Sequence, residues 1–423
     1  MNVVLSGGEA RGRATAPPSK SMTHRALILS ALAEGKSLIE SPLKSDDTEA
    51  TSKILKQLGV GVAEGTDSWL VEGGSMRAPV NDLYCGESGT TLRLMTAVCA
   101  LVEGKCRLSA GKSLNMRPIE PLLDALKRLG VLGECTDGRP PLTIHGTGVI
   151  RGGSTEIRGD VSSQFLSALL IASPLAKGLV TVSLTTALES KPYVAMTLDA
   201  MRLFGVELDA SPDSRVFQIP VKPYEPAKIV VDGDWSSAAY PLAAGALCGR
   251  VSVNRLDTES SQADRRIVEI LKSMGVRVTG TRGDVTVRPF KLRAVDLDLS
   301  DCPDLFPVVS ALCAVAEGES RLTGLSRLRF KESDRVEAMA EGLTRMGVRV
   351  NLGDGAMSIR GGRVRGAVVD PHGDHRIAMA LAVLSLAAVG ETTIKDAECV
   401  SKSYPGFWRD FERIGINVRR ING

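Results

Sequence analysis

The sequence predicts an α/β fold made of one two-helix unit repeated six times, and two periodic sets of glycines carry that prediction. Apolar, helix-like runs end at Gly35, Gly104, Gly178, Gly249, Gly318 and Gly390, spaced 69, 74, 71, 69 and 72 residues apart, and each leads into a short strand-like run. In step with them stand Gly59, Gly130, Gly205, Gly275, Gly347 and Gly415, inside segments such as LKQLGVGV and LTRMGVRV. Both sets read as glycine at a helix C-cap, where a left-handed backbone turns the chain into a strand. At 423 residues and 43% apolar, the chain has material for more than one core, so three units in each of two domains is the natural arrangement.

The two helices of each unit open on different polar clusters. The first helices start at SKSMTHR, SGTTLR, SSQF, DWSSAAY, CPDLF and GDHR; the second follow SDDTEA, NMRPIE, SKPYVA, SSQADR, KESDR and SKSYPG. A helix N-terminus carries unpaired N–H groups and a partial positive charge, so Ser, Thr, Lys and Arg gathered there form an anion site. Several such ends brought together would line an anion-binding cleft.

Taken in chain order, the first unit places Lys20 and Ser21 ahead of an apolar helix with Arg25 one turn in, and these three can hold a phosphate. A single such cation is usually a solvated helix end; recurrence at equivalent positions argues for more. In the second unit, Gly86 and Gly89 of CGESGTTLRLM let a ligand approach the backbone, with Thr90 and Thr91 as caps and Arg93 just inside; a plain Gly-rich turn would look the same. AGKSLNMRPIEPLL has a nucleotide-loop flavour, but Cys106 occupies the first glycine position, which rejects a nucleoside triphosphatase. Arg117, fixed by Pro118 at a helix start, is the stronger candidate there.

The third unit offers neutral donors, Ser162, Ser163 and Gln164, then Ser190 and Tyr193, which suit a hydroxylated, phosphorylated ligand but equally serve as caps. The fourth, with DWSSAAY and SSQADR, is the least decorated and is expected to contribute least. The last two bring Lys331, Arg335, Arg376 and Lys402 to helix starts, where the helix dipole disfavours cations unless an anion is present. Asp304 and Glu332 among them can move protons; an N-cap before Leu305 and a plain salt bridge are the alternative readings.

Composition removes other classes. A net charge of +3 with 4% aromatic residues and no basic blocks argues against nucleic-acid binding. The four histidines show no metal-ligand spacing, so no metal is expected. Eight cysteines without a CxxC pair read as reduced core residues of a cytosolic protein. No apolar stretch reaches membrane-span length and no signal sequence is apparent, so a soluble, unexported protein is expected. GGEARGRATAPPSKS reads as irregular, and IPVKPYEPAKI, with Pro220, Pro223 and Pro226, as the crossing between domains; two crossings suit a hinge between lobes.

The runs SKSMTHRALILSALAEG, GESGTTLR, NMRPIEPLLDAL, DVSSQFLSALL, SKPY, KESDR, GDHRIAMA and SKSYPGFW, in this order across nearly the whole chain, resemble the 5-enolpyruvylshikimate-3-phosphate synthases. The resemblance implies a two-lobed inside-out α/β barrel of six βαβαββ units, three per lobe, with residues 14–224 as one lobe and 1–13 plus 225–423 as the other, closing over substrates. It implies transfer of the enolpyruvyl group of phosphoenolpyruvate to the 5-hydroxyl of shikimate 3-phosphate with release of phosphate, by a cytoplasmic monomer needing no cofactor and no macromolecular or membrane partner. On it, Lys20, Ser21, Arg25, Ser162, Ser163, Gln164, Ser190, Asp304 and Lys331 hold shikimate 3-phosphate, with Tyr193 assisting. Lys20, Gly89, Arg117, Gln164, Arg335, Arg376 and Lys402 surround phosphoenolpyruvate. Asp304 takes the hydroxyl proton, and Glu332 or Lys20 handles the proton at C3.

Two positions depart from the pattern the resemblance implies: Glu87 stands where many members carry Asn, and Arg327 where some carry an Asn; Glu87 is expected to pair with a neighbouring Arg, and Arg327 is left out of the site. The related transferase acting on UDP-N-acetylglucosamine is disfavoured because Arg107 to Arg117 contains no reactive Cys. An RNA-end cyclase lacks its nucleotide site, and a non-catalytic anion-binding protein would have no need of Asp304 or Glu332. With no side chain at Gly89, the phosphoenolpyruvate pocket is also expected to admit glyphosate.

Overall fold

In a computed structural model the described residues are 1–211, 213–281 and 283–421. The chain divides into two compact units, Pro18–Val231 and Met1–Pro17 joined to Asp232–Gly423.

Pro18–Val231 contains helices α1 (Lys20–Leu32), α2 (Asp46–Gln57), α3 (Gly89–Val98), α4 (Glu120–Arg128), α5 (Ser163–Ala172) and α6 (Lys191–Leu203). The other unit contains α7 (Trp235–Cys248), α8 (Ile267–Ser273), α9 (Phe306–Cys313), α10 (Arg335–Arg345), α11 (His375–Ser385) and α12 (Phe407–Arg413). The second repeat shows the pattern. Strand Leu83–Tyr84, α3, strand Glu103–Ser109, α4, then strands Leu132–Thr136 and Arg139–Thr147 make a four-stranded sheet in spatial order first, second, fourth, third. Its first two strands are parallel and the remaining pairs antiparallel. Among the described residues six four-stranded sheets of this kind occur, one per repeat.

Three sheets are completed by distant chain. Lys228–Val230 pairs in parallel with Leu38–Glu40 and supplies the first strand of repeat one. Ala10–Thr15 pairs in parallel with Gly249–Asn254 for repeat four. Asn2–Leu5 fills repeat six, between Thr392–Ile394 and Val418–Ile421. The segment read as irregular thus contains a strand, in which only Ala10 and Ala14 are buried while Arg11 and Arg13 face out, so its apolar pattern is faint. Likewise IPVKPYEPAKI is not a free linker: Tyr224 is 3% exposed and its hydroxyl donates to Ile171 O at 2.9 Å. The unit boundaries fall at 17/18 and 231/232, later than the sequence-based 13/14 and 224/225.

Within each unit the first helix of every repeat is central. α1, α3 and α5 are buried along nearly their whole length, and α7, α9 and α11 likewise. A helix apolar on all sides belongs inside a core. The second helices keep an exposed face, as in α4, where Leu122, Leu123, Ala125 and Leu126 are buried but Lys127 and Arg128 are not. Because each first strand runs parallel to the second, the helix between them starts at the same end of every repeat, and the polar helix starts of a unit collect there.

The second glycine set is left-handed throughout, with φ from +79° to +94° at Gly59, Gly130, Gly205, Gly275, Gly347 and Gly415. The first set departs from expectation at Gly178 and Gly249, which are not left-handed. At Gly249 (φ 174°) the requirement is space: a Cβ would lie 1.8 Å from Ala10 O on the adjacent strand.

Candidate active site

In Pro18–Val231, Ser19 caps α1 and Lys20, the first helical residue, bonds Asp47 Oδ2 at 2.7 Å. Asp47 lies in the first turn of α2, where the dipole favours a carboxylate, so the pair ties two helix starts together. Arg25, 3% exposed, donates through Nε to Thr197 Oγ1, Nη1 to Ser21 O and Nη2 to Tyr193 O, each at 2.9 Å. Burial pushes its guanidinium down to about 10, still cationic at neutral pH. Thr197 is held in turn by Ser167 at 2.9 Å, so Arg25 is braced from α5 and α6.

Gln164 bridges two helix starts. Its Oε1 accepts from Arg93 Nη1 at 2.6 Å and its Nε2 donates to Thr90 Oγ1 at 2.9 Å. Ser162 caps α5 through Gln164 N, and Ser190 stands at the N-cap position of α6 with φ +54° but makes no side-chain capping bond. At the start of α3, an added Cβ on Gly89 would meet Arg117 Nη1 and Arg93 Nη1, each at 3.2 Å. Arg117 is 4% exposed, and its Nε has no hydrogen-bond partner. Two guanidiniums close to one helix N-terminus repel each other, and an anion placed between them would relieve that repulsion. Glu87 does not neutralise them, contrary to expectation; it accepts from Ser113 N at 3.1 Å and Leu114 N at 2.8 Å.

The other unit carries a denser network. Arg335, 1% exposed at the start of α10, donates through Nε to Asp374 Oδ2 (2.7 Å), Nη1 to Asp304 Oδ1 (2.8 Å) and Nη2 to Glu332 Oε2 (2.6 Å). Arg376 Nη2 meets Asp304 Oδ2 at 2.9 Å, and Lys331 Nζ lies 3.5 Å from Asp304 Oδ1. Asp374 also caps α11 through Arg376 N, and Lys402 Nζ donates to Gly373 O at 3.0 Å. Lys331, Arg335 and Arg376 thus converge on Asp304, while Glu332 and Asp374 also pair with Arg335, and Lys402 borders the network on Gly373 O.

Burial alone would raise Asp304, but Arg376, Lys331 and Arg335 outweigh it and hold the carboxyl well below the ordinary carboxylate range. Lys331 is pulled the other way: burial first, and the nearby Arg335 against the attraction of Asp304, bring it down to about 8. A carboxylate kept ionised beside a lysine that titrates near neutrality can pass protons to and from a bound hydroxyl.

All the residues picked from Pro18–Val231 lie at or near the starts of α1, α3, α4, α5 and α6, and those from the other unit form one ion-pair network or border it. Some details differ from the sequence reading. Asp304 is not an N-cap but sits within a 3₁₀ turn, Pro303–Leu305, turned onto the cations. Glu332 does form a salt bridge, to Arg335. Lys331 follows a 3₁₀ turn, Ser326–Phe330, and Lys402 ends another, Ala397–Lys402, so neither opens a helix. Tyr193 meets Arg25 through its carbonyl. Arg327 donates to Ser300 O at 2.8 Å.

The sequence reading missed Asp47, Thr197 and Asp374, and named Arg93 only in passing. Asp374 had a usable signal, an Asp directly before a first helix, as at Asp234 in the fourth repeat. Among the described residues, no cluster of His, Cys, Asp and Glu is arranged to hold a metal ion.

Residues 5–411 match the family described as EPSP synthase (3-phosphoshikimate 1-carboxyvinyltransferase). The 3-phosphoshikimate 1-carboxyvinyltransferase of Methanocorpusculum labreanum is 42% identical over 99% of this chain and all of its own length. That of Aeropyrum pernix is 43% identical over 100% of this chain and 97% of its own. The solved structure of EPSP synthase from Acinetobacter baumannii superposes with a TM-score of 0.84 at 27% identity, covering 99% of this chain and 100% of that one. The enolpyruvyl transferase NikO from Streptomyces tendae shares the fold, with a TM-score of 0.81 at 19% identity over 99% of this chain and 98% of its own. Repeat architecture, converging cationic helix starts and a sequence match along nearly the whole length agree, and the chain belongs to the EPSP synthase family.

Proposed function

We infer that the protein transfers the enolpyruvyl group of phosphoenolpyruvate to the 5-hydroxyl of shikimate 3-phosphate, giving 5-enolpyruvylshikimate 3-phosphate and phosphate. The observation that carries this reading beyond family membership is Asp304, one carboxylate held ionised by Arg335, Arg376 and Lys331. Such a site attracts polyanions and contains its own proton acceptor.

In this reading Lys20, Ser21, Arg25, Ser162, Ser163, Gln164 and Ser190 bind shikimate 3-phosphate together with Asp304 and Lys331. Lys20, Gly89, Arg117, Gln164, Arg335, Arg376 and Lys402 bind phosphoenolpyruvate. When substrate anions draw Arg376 and Lys331 onto themselves, Asp304 loses part of the field that keeps it a weak base. It then takes the proton of the 5-hydroxyl as that oxygen attacks C2, while Glu332 or Lys20 delivers a proton to C3. Elimination reverses the C3 transfer: the proton leaves C3, the double bond re-forms and the C–O bond to phosphate breaks. The clustered cations offset the repulsion between the substrates and stabilise the charged tetrahedral adduct.

Eight free cysteines support a reducing, cytosolic setting; among the described residues no helix is long and apolar enough to cross a membrane. Incubation with both substrates and mass analysis of the product tests the reaction. Shikimate 3-phosphate gaining one enolpyruvyl group is expected, and unchanged shikimate 3-phosphate refutes it.

A further inference from the structure

Buried hydroxyls inside a helix usually bond back to their own backbone, as Thr96 does to Leu92 O at 2.7 Å and Ser310 to Phe306 O at 2.8 Å. Thr51 of α2 and Thr91 of α3 are fully buried and bond to neighbouring helices instead. Thr51 Oγ1 lies 2.8 Å from His24 Nδ1 of α1 and 2.7 Å from Thr91 Oγ1. Thr91 Oγ1 in turn bonds Ser88 Oγ at 2.7 Å and Asp47 O at 3.3 Å. His24 and Ser88 are also fully buried, so this chain of bonds is closed to water.

The chain has a direction. Burial first, then Lys20 and Arg25, hold the His24 imidazole well below its usual range, so the ring is neutral and carries one proton. Among the described residues its Nε2 has no hydrogen-bond partner, which assigns that proton to Nδ1. Nδ1 then donates to Thr51, Thr51 to Thr91 and Thr91 to Ser88, whose Oγ also accepts from Thr91 N as the cap of α3. Reversing the order would move the proton to Nε2 and bury an unpaired donor.

The two ends of this chain are helix starts that the transferase reading assigns to phosphoenolpyruvate. Lys20 lies one turn before His24 on α1, and its Nζ is held by the Asp47 carboxylate, one turn before Thr51 on α2. Asp47 thus meets Lys20 through its side chain and Thr91 through its carbonyl. Ser88 directly precedes Gly89, beside which the Arg93 and Arg117 guanidiniums lie. One face of α2 therefore fixes the start of α1 and the start of α3 together.

We propose that Thr51 and Thr91 are positioning residues for phosphoenolpyruvate: the hydroxyl chain from His24 to Ser88 sets the spacing between Lys20 and Gly89. The proposal rests on the transferase reading above. Arg25, assigned to shikimate 3-phosphate, is braced separately by Thr197 and the Tyr193 carbonyl, so the effect falls mainly on one substrate.

The test is steady-state kinetics of Thr51→Val, Thr91→Val, the double variant and Thr91→Ser. Valine keeps the shape of threonine and removes the bond. Each single valine variant should raise the KM for phosphoenolpyruvate about fivefold, with kcat and the KM for shikimate 3-phosphate within about twofold of wild type. Because both substitutions cut one chain, the double variant should be no worse than the larger single effect. Thr91→Ser keeps the oxygen and should stay within about twofold of wild type.

A wild-type KM in Thr91→Val overturns the proposal, as does an equal rise in Thr91→Ser, which would assign the effect to the methyl group. Single effects that multiply in the double variant, or a shikimate 3-phosphate KM that rises as much, overturn it too. Should Thr91→Val not fold, Thr51→Val alone must give the rise or the proposal falls. A wild type that releases no phosphate from the two substrates overturns the transferase reading and this proposal with it. Wild-type turnover with unmoved KM in the valine variants overturns the proposal alone.

Discussion

Replacing Arg335 with Met should cost the unit built from Met1–Pro17 and Asp232–Gly423 about 3–5 kcal/mol at neutral pH, because it removes one side of a buried ion-pair network. Arg335 is 1% exposed and bonds three carboxylates, of which Asp374 is fully buried and Glu332 and Asp304 keep side-chain exposures of only 14% and 16%. Methionine fills similar volume, so the loss reads the stranded charge rather than a cavity. Asp304 keeps Arg376 and Lys331, whereas Glu332 loses a 2.6 Å partner and Asp374 a 2.7 Å one.

Urea unfolding followed by tryptophan fluorescence in a Trp69→Phe background reports on this unit alone, since Trp235 and Trp408 both lie in it. The midpoint should fall by roughly 2 M for a typical dependence on urea. The pH dependence has a definite sign. In wild type the folded-state pKa of Asp304 lies below its unfolded value, so the stability from its pairing is present above the ordinary carboxylate range and lost as pH falls through the folded value. In Arg335→Met, Asp304 loses one of the three cations that hold its carboxyl down, so its folded-state value moves back toward the unfolded one and the deficit should shrink as pH falls from about 7 to about 4.5. A deficit below about 1 kcal/mol, or one that does not change with pH, would refute the network as a set of charged, buried pairs.

Three further outcomes are expected. Asp304→Asn should lower kcat by roughly a hundred- to ten-thousandfold in steady-state assays while substrate binding survives, because it removes the proton acceptor; a kcat within tenfold of wild type contradicts that role. Gly89→Ala places a methyl 3.2 Å from both Arg93 Nη1 and Arg117 Nη1, so the guanidiniums must shift. The KM for phosphoenolpyruvate should rise about tenfold or more, the KM for shikimate 3-phosphate should stay unchanged, and glyphosate inhibition should weaken in parallel. Thr197→Val removes the acceptor of Arg25 Nε and should raise the KM for shikimate 3-phosphate about fivefold with kcat nearly constant; a fall in kcat alone would argue against a bracing role.

Much of the architecture was legible because a repeated unit writes its periodicity into the chain. Six glycines in step marked the ends of α2, α4, α6, α8, α10 and α12, and all six are left-handed. Strands that complete a sheet from a distant stretch were not legible. Ala10–Thr15 buries two alanines among arginines, and Lys228–Val230 sits behind three prolines, so neither looks like a core strand until its partner is known.

The candidate site divides along the same line. Lys20, Arg25, Arg335 and Arg376 stood out because cations at helix starts are locally unfavourable. Asp374 and Thr197 matter only through what they touch 39 and 172 residues away.

Membership of the EPSP synthase family and the Asp304 network together require that this chain join phosphoenolpyruvate to shikimate 3-phosphate. The most direct test is phosphate release with the wild-type protein, measured with each substrate alone and with both together. Release that requires both, saturates in each and matches the new enolpyruvyl product one for one is the predicted result. No release, or release from phosphoenolpyruvate that proceeds equally without shikimate 3-phosphate, would contradict it.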